Sequence, residues 1–140
     1  MDSRIAAAIR QHGGEAYPEE CCGALLGTVE NATPRVTRVE RIANARREDR
    51  HRRYAVEPLE YARLEKRAEA EGLSVLGFYH SHPDHPAVPS EYDRERGFPF
   101  FHYVLVAVSA GTPGEVASYV LSEDRGVFDR EELLVEGLQE

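Results

Sequence analysis

The sequence predicts an α+β fold: one domain over residues 1–140, with a central β-sheet flanked by helices. Three observations lead there. The chain has 140 residues, the usual size of one domain and enough to bury a core without disulfide or metal staples. Apolar runs of strand length are interspersed with segments of helical spacing. No internal repeat or low-complexity linker divides the chain. The composition, 41% hydrophobic and 30% charged, is that of an ordinary soluble globular protein.

Residues 2–12 read as a short helix. Asp2 or Ser3 caps it, Ile5, Ala8 and Ile9 form one apolar face, and Gly13-Gly14 is expected to end it. Pro18 bars its continuation. Cys22–Val29 is a short apolar run with two glycines, read as a buried strand. Asn31–Pro34 is a turn, and Val36–Ile42 is a strand of imperfect alternation. Residues 44–53 are polar and loop-like. Pro58 suits the first turn of a helix running to about Glu71, with Gly72 as its stop. Leu73–Tyr79 is a second buried strand that runs straight into His80. Pro83, Pro86 and Pro89 make the next segment an ordered loop. Ser90–Arg96 resembles a short helix that opens with a capping box, Ser90-x-x-Asp93. Gly97 and Pro99 end it early, so its first turn must position Asp93. Phe100–Ser109 and Val116–Ser122 are strands, with a hairpin signal at Gly111–Gly114. The tail from Asp129 to Glu140 reads as one helical turn or a terminal strand.

Charge and cysteine usage exclude several functions. The net charge of −8 disfavours nucleic acid, which needs a clustered positive surface. The one basic run, Arg46 to Arg53, contains Glu48 and Asp49 and reads as a solvated loop. No apolar run approaches the roughly 20 residues needed to span a bilayer. The apolar stretch at Ile5–Ile9 is interrupted too soon to be a secretion signal. A cytoplasmic protein is expected. Cys21 and Cys22 are adjacent, too close for an ordinary disulfide, and two thiols cannot make a four-cysteine zinc site. At the mouth of an apolar strand they read as small core residues rather than nucleophiles.

The chemistry-bearing candidate is His80-Ser81-His82. On a strand, residues at i and i+2 point to one face, so two imidazoles can converge on one metal. Imidazole suits zinc, and a catalytic zinc usually takes three protein ligands and a water. An H-x-H alone is a weak signal. Asp93, which follows His82 after ten intervening residues, can complete the set if the proline loop turns the chain back. Its competing role is as the capping partner of Ser90. His12, His51, His85 and His102 read as ordinary loop or strand residues.

These residues also carry a family resemblance. The stretch GFYHSHPDHPAVPSEYD resembles the H-x-H-P…S-x-x-D signature of the JAMM (MPN-plus) metalloproteases. PEECCGALLG resembles that family's other hallmark, a glutamate just before a Cys-Gly that enters a strand. The resemblance implies a single MPN-type domain with a mixed, curved central sheet, broadly similar in fold to the cytidine deaminases. It implies Zn²⁺ as cofactor, with His80, His82 and Asp93 as ligands. It makes Glu20, rather than the adjacent Glu19, the general acid/base, and Ser90 the hydroxyl that stabilises the developing oxyanion. The implied activity is hydrolysis of the amide bond after the C-terminal glycine of a ubiquitin-like protein. Only seven residues separate His82 from Ser90, which resembles the compact prokaryotic branch. Within that branch the implied partner is a small sulfur carrier, whose extended tail can bind as an added strand. The alternative is a non-catalytic MPN-type scaffold, which typically lacks part of this residue set. A zinc-dependent deaminase ranks last, because its P-C-x-x-C ligand pair is absent.

Overall fold

A computed structural model describes residues 1–44, 57–97, 101–122 and 126–136. The basic run 46–53 lies outside them. Helix α1 (Ser3–Ala16) begins at Asp2, whose carboxylate accepts from the Arg4 and Ile5 amides at 2.9 and 3.1 Å. These are first-turn N–H groups that the helix itself cannot pair. The helix does not stop at Gly13-Gly14 as expected; it continues through both to Ala16. Packing outweighs the poor helix propensity of glycine. A Cβ on Gly13 would meet Val106 and Val108 side chains at 3.1 Å, so its absence lets the helix lie directly on the sheet.

Strands β1 (Cys22–Glu30) and β2 (Thr33–Ile42) form a hairpin. It turns at Asn31-Ala32, both at positive φ (51° and 65°), the mirror-image turn that matches strand twist. β2 begins earlier than Val36 because Pro34 sits on a sheet edge, where a missing ladder donor is tolerated. Helix α2 (Pro58–Ala70) has its proline in the first turn, as expected. Gly72, at φ 74°, follows its end. Strand β3 (Ser74–Pro83) runs past Tyr79 and carries both histidines inside the strand. Helix α3 (Glu91–Arg96) and strands β4 (His102–Ser109), β5 (Thr112–Leu121) and β6 (Phe128–Glu131) complete the order. The β4–β5 turn lies at Ala110-Gly111 (φ 49° and 87°), not across Gly111–Gly114. Thr112 and Pro113 already pair with Ser109 and Val108. The described part of the tail forms strand β6 on β5, the second of the two expected outcomes.

The sheet is mixed, in the order β2-β1-β3-β4-β5-β6. Only the β3–β4 pairing is parallel among the described strands. Alternation along each strand builds a core on either face. Cys22, Leu26, Phe78, Leu105 and Tyr119 face α2 through Leu64 and Ala68. Cys21, Leu25, Tyr79, Val104 and Val106 face α1 through Ala6 and Ile9. No helix among the described residues is long and apolar enough to cross a membrane.

Gly77 is where β3 meets His102 of β4. A Cβ there would overlap the His102 carbonyl group, which is backbone and cannot swing aside. Gly77→Ala should therefore lower stability by about 3 kcal/mol, read from the midpoint of chemical denaturation.

Candidate metal centre

His80 and His82 project from the same face of β3, the face covered by α2. The antiparallel pairing with β1 sets Cys22 opposite His80. Glu20 lies just outside β1, two residues before Cys22, the spacing that returns an extended chain's side chain to the same face. Burial agrees: Glu20 is 5% exposed, while Glu19 is exposed. The Glu20 carboxylate is near enough for its charge to favour protonated His82. Of the two adjacent glutamates, Glu20 is the one buried within charge range of His82.

Two further contacts hold that end of β1. The Ser81 amide donates to the Cys21 carbonyl at 3.2 Å. In return the Cys21 amide donates not to a backbone carbonyl but to Ser81 Oγ, at 2.8 Å. A side-chain oxygen thus replaces a ladder acceptor just where the strand pair ends. Asn44 Nδ2 donates to the Glu20 carbonyl at 3.2 Å. The sequence reading missed both Ser81 and Asn44, since a lone serine or asparagine carries no spacing signal.

Asp93 comes in from α3. It caps that helix reciprocally with Ser90. Asp93 N donates to Ser90 Oγ at 3.1 Å, and Ser90 N donates to Asp93 Oδ2 at 2.8 Å. The same carboxylate meets the histidines: Oδ1 is 3.1 Å from His80 Nε2, and Oδ2 is 3.1 Å from His82 Nε2. The two Nε2 atoms are themselves 3.1 Å apart. Cap and ligand candidate are therefore one residue. The six-residue helix is long enough, because only its first turn positions Asp93.

Donor atoms of His80, His82 and Asp93, one from each, lie within 4.8 Å of one another, and this group could hold a metal ion. The two Nε2 atoms, 3.1 Å apart, approach the separation of about 3.3 Å expected for ligands about 2.0 Å from a shared tetrahedral ion. The tautomer of His82 fits as well. His82 Nδ1 lies 2.9 Å from the Pro86 carbonyl. A carbonyl only accepts, so Nδ1 carries the hydrogen and a neutral ring turns the Nε2 lone pair inward. Burial drives the His80 pKa down. Burial also pulls at His82, but the hydrogen bond and charge of Asp93 outweigh it and raise that pKa. Burial alone would raise the Asp93 carboxyl. The two imidazoles reverse that and hold it well below the usual carboxylate range, in the ionised form a metal needs.

The remaining histidines lie elsewhere. His12 meets the Tyr79 hydroxyl at 2.7 Å on the α1 side of the sheet. His102 pairs with Glu131 at 2.7 Å. His85 is exposed, and His51 lies outside the described residues. Both cysteines are buried. Burial pushes the Cys21 thiol up to about 11 and the Cys22 thiol to about 12, which makes them poor nucleophiles.

The fold and donor group define an α+β protein in which two histidines of β3 and an aspartate of α3 form a group that could hold a metal. A family model described as prokaryotic homologs of the JAB domain matches residues 2–122, and the chain belongs to that branch of the JAMM/MPN family. Over 105 residues it is 37% identical to Desampylase of Haloferax volcanii, covering 74% of this chain and 73% of that one. Over 74 residues it is 39% identical to a probable TtuB-protein conjugate cleaving protease of Thermus thermophilus, covering 53% of this chain and 47% of the relative. A solution structure from Salinibacter ruber is 45% identical, with 96% and 91% coverage and a TM-score of 0.75. The crystal structure of a JAB1/MPN domain protein from Archaeoglobus fulgidus, 18% identical with a TM-score of 0.59 over 96% and 94% of the two chains, shares the fold.

Two outcomes follow. Ser81→Ala leaves a buried amide without its acceptor and should cost about 1–3 kcal/mol in chemical denaturation. The thiols stay protonated in the folded chain up to about 11 and 12, against an ordinary value of 9.0. The unfolded chain releases those protons first, so their contribution is intact below about pH 9 and lost as pH rises through the folded values. Denaturation midpoints that hold steady from pH 9 to 11 in wild type, yet fall in a Cys21→Ala/Cys22→Ala variant, would contradict this.

Proposed function

We propose that this chain is a zinc-dependent peptidase that cleaves the amide bond after the C-terminal glycine of a ubiquitin-like or sulfur-carrier protein. The observation that carries the reading is the buried Glu20 carboxylate within charge range of the His80–His82–Asp93 group. The names of the Haloferax and Thermus relatives point to the same class of substrate.

His80, His82 and Asp93 would hold the zinc. When bound, it lowers the pKa of water from about 15.7 to about 7 and polarises a carbonyl. The protein's own groups do the rest. Glu20 is beside the ligands rather than among them, the placement a general base needs. It accepts a proton from the attacking water and returns it to the leaving nitrogen. Ser90 Oγ already accepts from the Asp93 amide, which leaves its own hydrogen to donate to the substrate carbonyl oxygen as charge develops there. Asp93, anchored by the helix cap, keeps the two imidazoles in register. A non-catalytic scaffold would give no use to a buried carboxylate beside such a group.

The test is metal analysis paired with cleavage of a ubiquitin-like carrier that bears a C-terminal amide-linked amino acid, followed by mass spectrometry. Wild type should hold one zinc and release the amino acid. Glu20→Gln should keep its zinc and lose at least about 10²-fold in rate. Ser90→Ala should lose about 10²-fold or more, and His82→Ala should lose the metal. A zinc-free wild type, or a Glu20→Gln enzyme as fast as wild type, would sink the reading.

A further inference from the structure

The loop between β3 and α3 is tied to the sheet at one buried point. Tyr119, on β5, is 6% exposed, and its hydroxyl donates to the Ala87 carbonyl at 2.8 Å. Ala87 is fully buried. It is the middle residue of a tight turn in which the Val88 amide donates to the Pro86 carbonyl at 2.8 Å. That same Pro86 carbonyl accepts from His82 Nδ1 at 2.9 Å. One chain of hydrogen bonds thus runs from Tyr119 through the 86–88 turn to His82. The prolines restrict the loop's own φ angles, but they do not set where the turn lies relative to the sheet.

We infer that Tyr119 is a positioning residue for the metal centre. Its hydroxyl holds the turn that presents the Pro86 carbonyl to His82, and so sets the ring's tautomer and the aim of Nε2. The inference rests on the zinc reading above. Groups that accept from the far nitrogen of a ligating imidazole typically govern metal affinity by 10–100-fold. Tyr119→Phe removes one oxygen and keeps the ring, which packs edge-on against Phe128 with centroids 6.4 Å apart.

A purely structural tyrosine is distinguished by comparison with Leu64→Val. That change loosens the same core from α2 and leaves the Tyr119–Ala87 hydrogen bond in place. Wild type and both variants are titrated with Zn²⁺ against a chromophoric chelator, with denaturation curves in parallel. Tyr119→Phe should bind zinc at least about 10-fold more weakly, while Leu64→Val binds as wild type does despite its lower stability. Unchanged affinity in Tyr119→Phe, or equal weakening in Leu64→Val, overturns the inference. A second readout needs no metal. In the zinc-free proteins, the His82 Nδ1 proton should exchange with water faster in Tyr119→Phe than in wild type; equal exchange also overturns it. Absence of zinc binding in wild type, by contrast, overturns the zinc reading itself.

Discussion

A slip of one residue in the pairing of β1 with β3 would turn Glu20 to the opposite side of the sheet. Side chains on strands alternate with a period of two, so register decides which face each one occupies. Here Cys22 lies opposite His80 and Gly23 opposite Tyr79. That keeps Cys22, His80 and His82 on one side and Cys21, Ser81 and Tyr79 on the other. Gly23 helps to enforce the match, because a Cβ at that position would run into the Tyr79 ring. A residue sixty positions upstream of the histidines becomes their neighbour through this pairing alone.

The other half of the centre depends on the one parallel pairing among the described strands. Parallel neighbours need a crossover, and it must leave from the end of β3. The segment from Asp84 to Gly97 is that crossover, and α3 forms part of it. The sheet direction therefore obliges the chain to pass over the very end of the strand that bears the imidazoles. Sites at the carboxyl ends of parallel strands have the same topological origin.

Much of this was legible in the sequence, for identifiable reasons. The apolar runs at Cys22–Val29 and Leu73–Tyr79, buried on both faces over 22–27 and 76–79, announce themselves without alternation. Pro58 and Gly72 bracket α2 because their backbone limits are local. Errors arose where tertiary contact overrode local preference. Gly13-Gly14 reads as a helix stop until the valines of β4 are seen to need the space. Gly111–Gly114 reads as a turn, though the turn lies at Ala110-Gly111. At the site, His80 and His82 share a strand, so their proximity follows from spacing. Asp93 needed the loop geometry. Glu20 needed the strand pairing, and only family resemblance could anticipate it. Ser81, Asn44 and Tyr119 act through backbone groups of other residues, which leaves no trace in residue type or interval.

The reciprocal cap between Ser90 and Asp93 has a consequence for how folding and ion binding are coupled. In many small metal-binding domains the ligands are gathered only by the ion, so that loading and folding are one transition. Here the carboxylate is secured by two hydrogen bonds within its own helix turn, and the imidazoles are secured by a buried strand. The ordering cost of the ligand set is met by the hydrophobic core, before any ion arrives. An ion held by these three residues, as proposed above, would then spend its binding energy on affinity rather than on organising the chain.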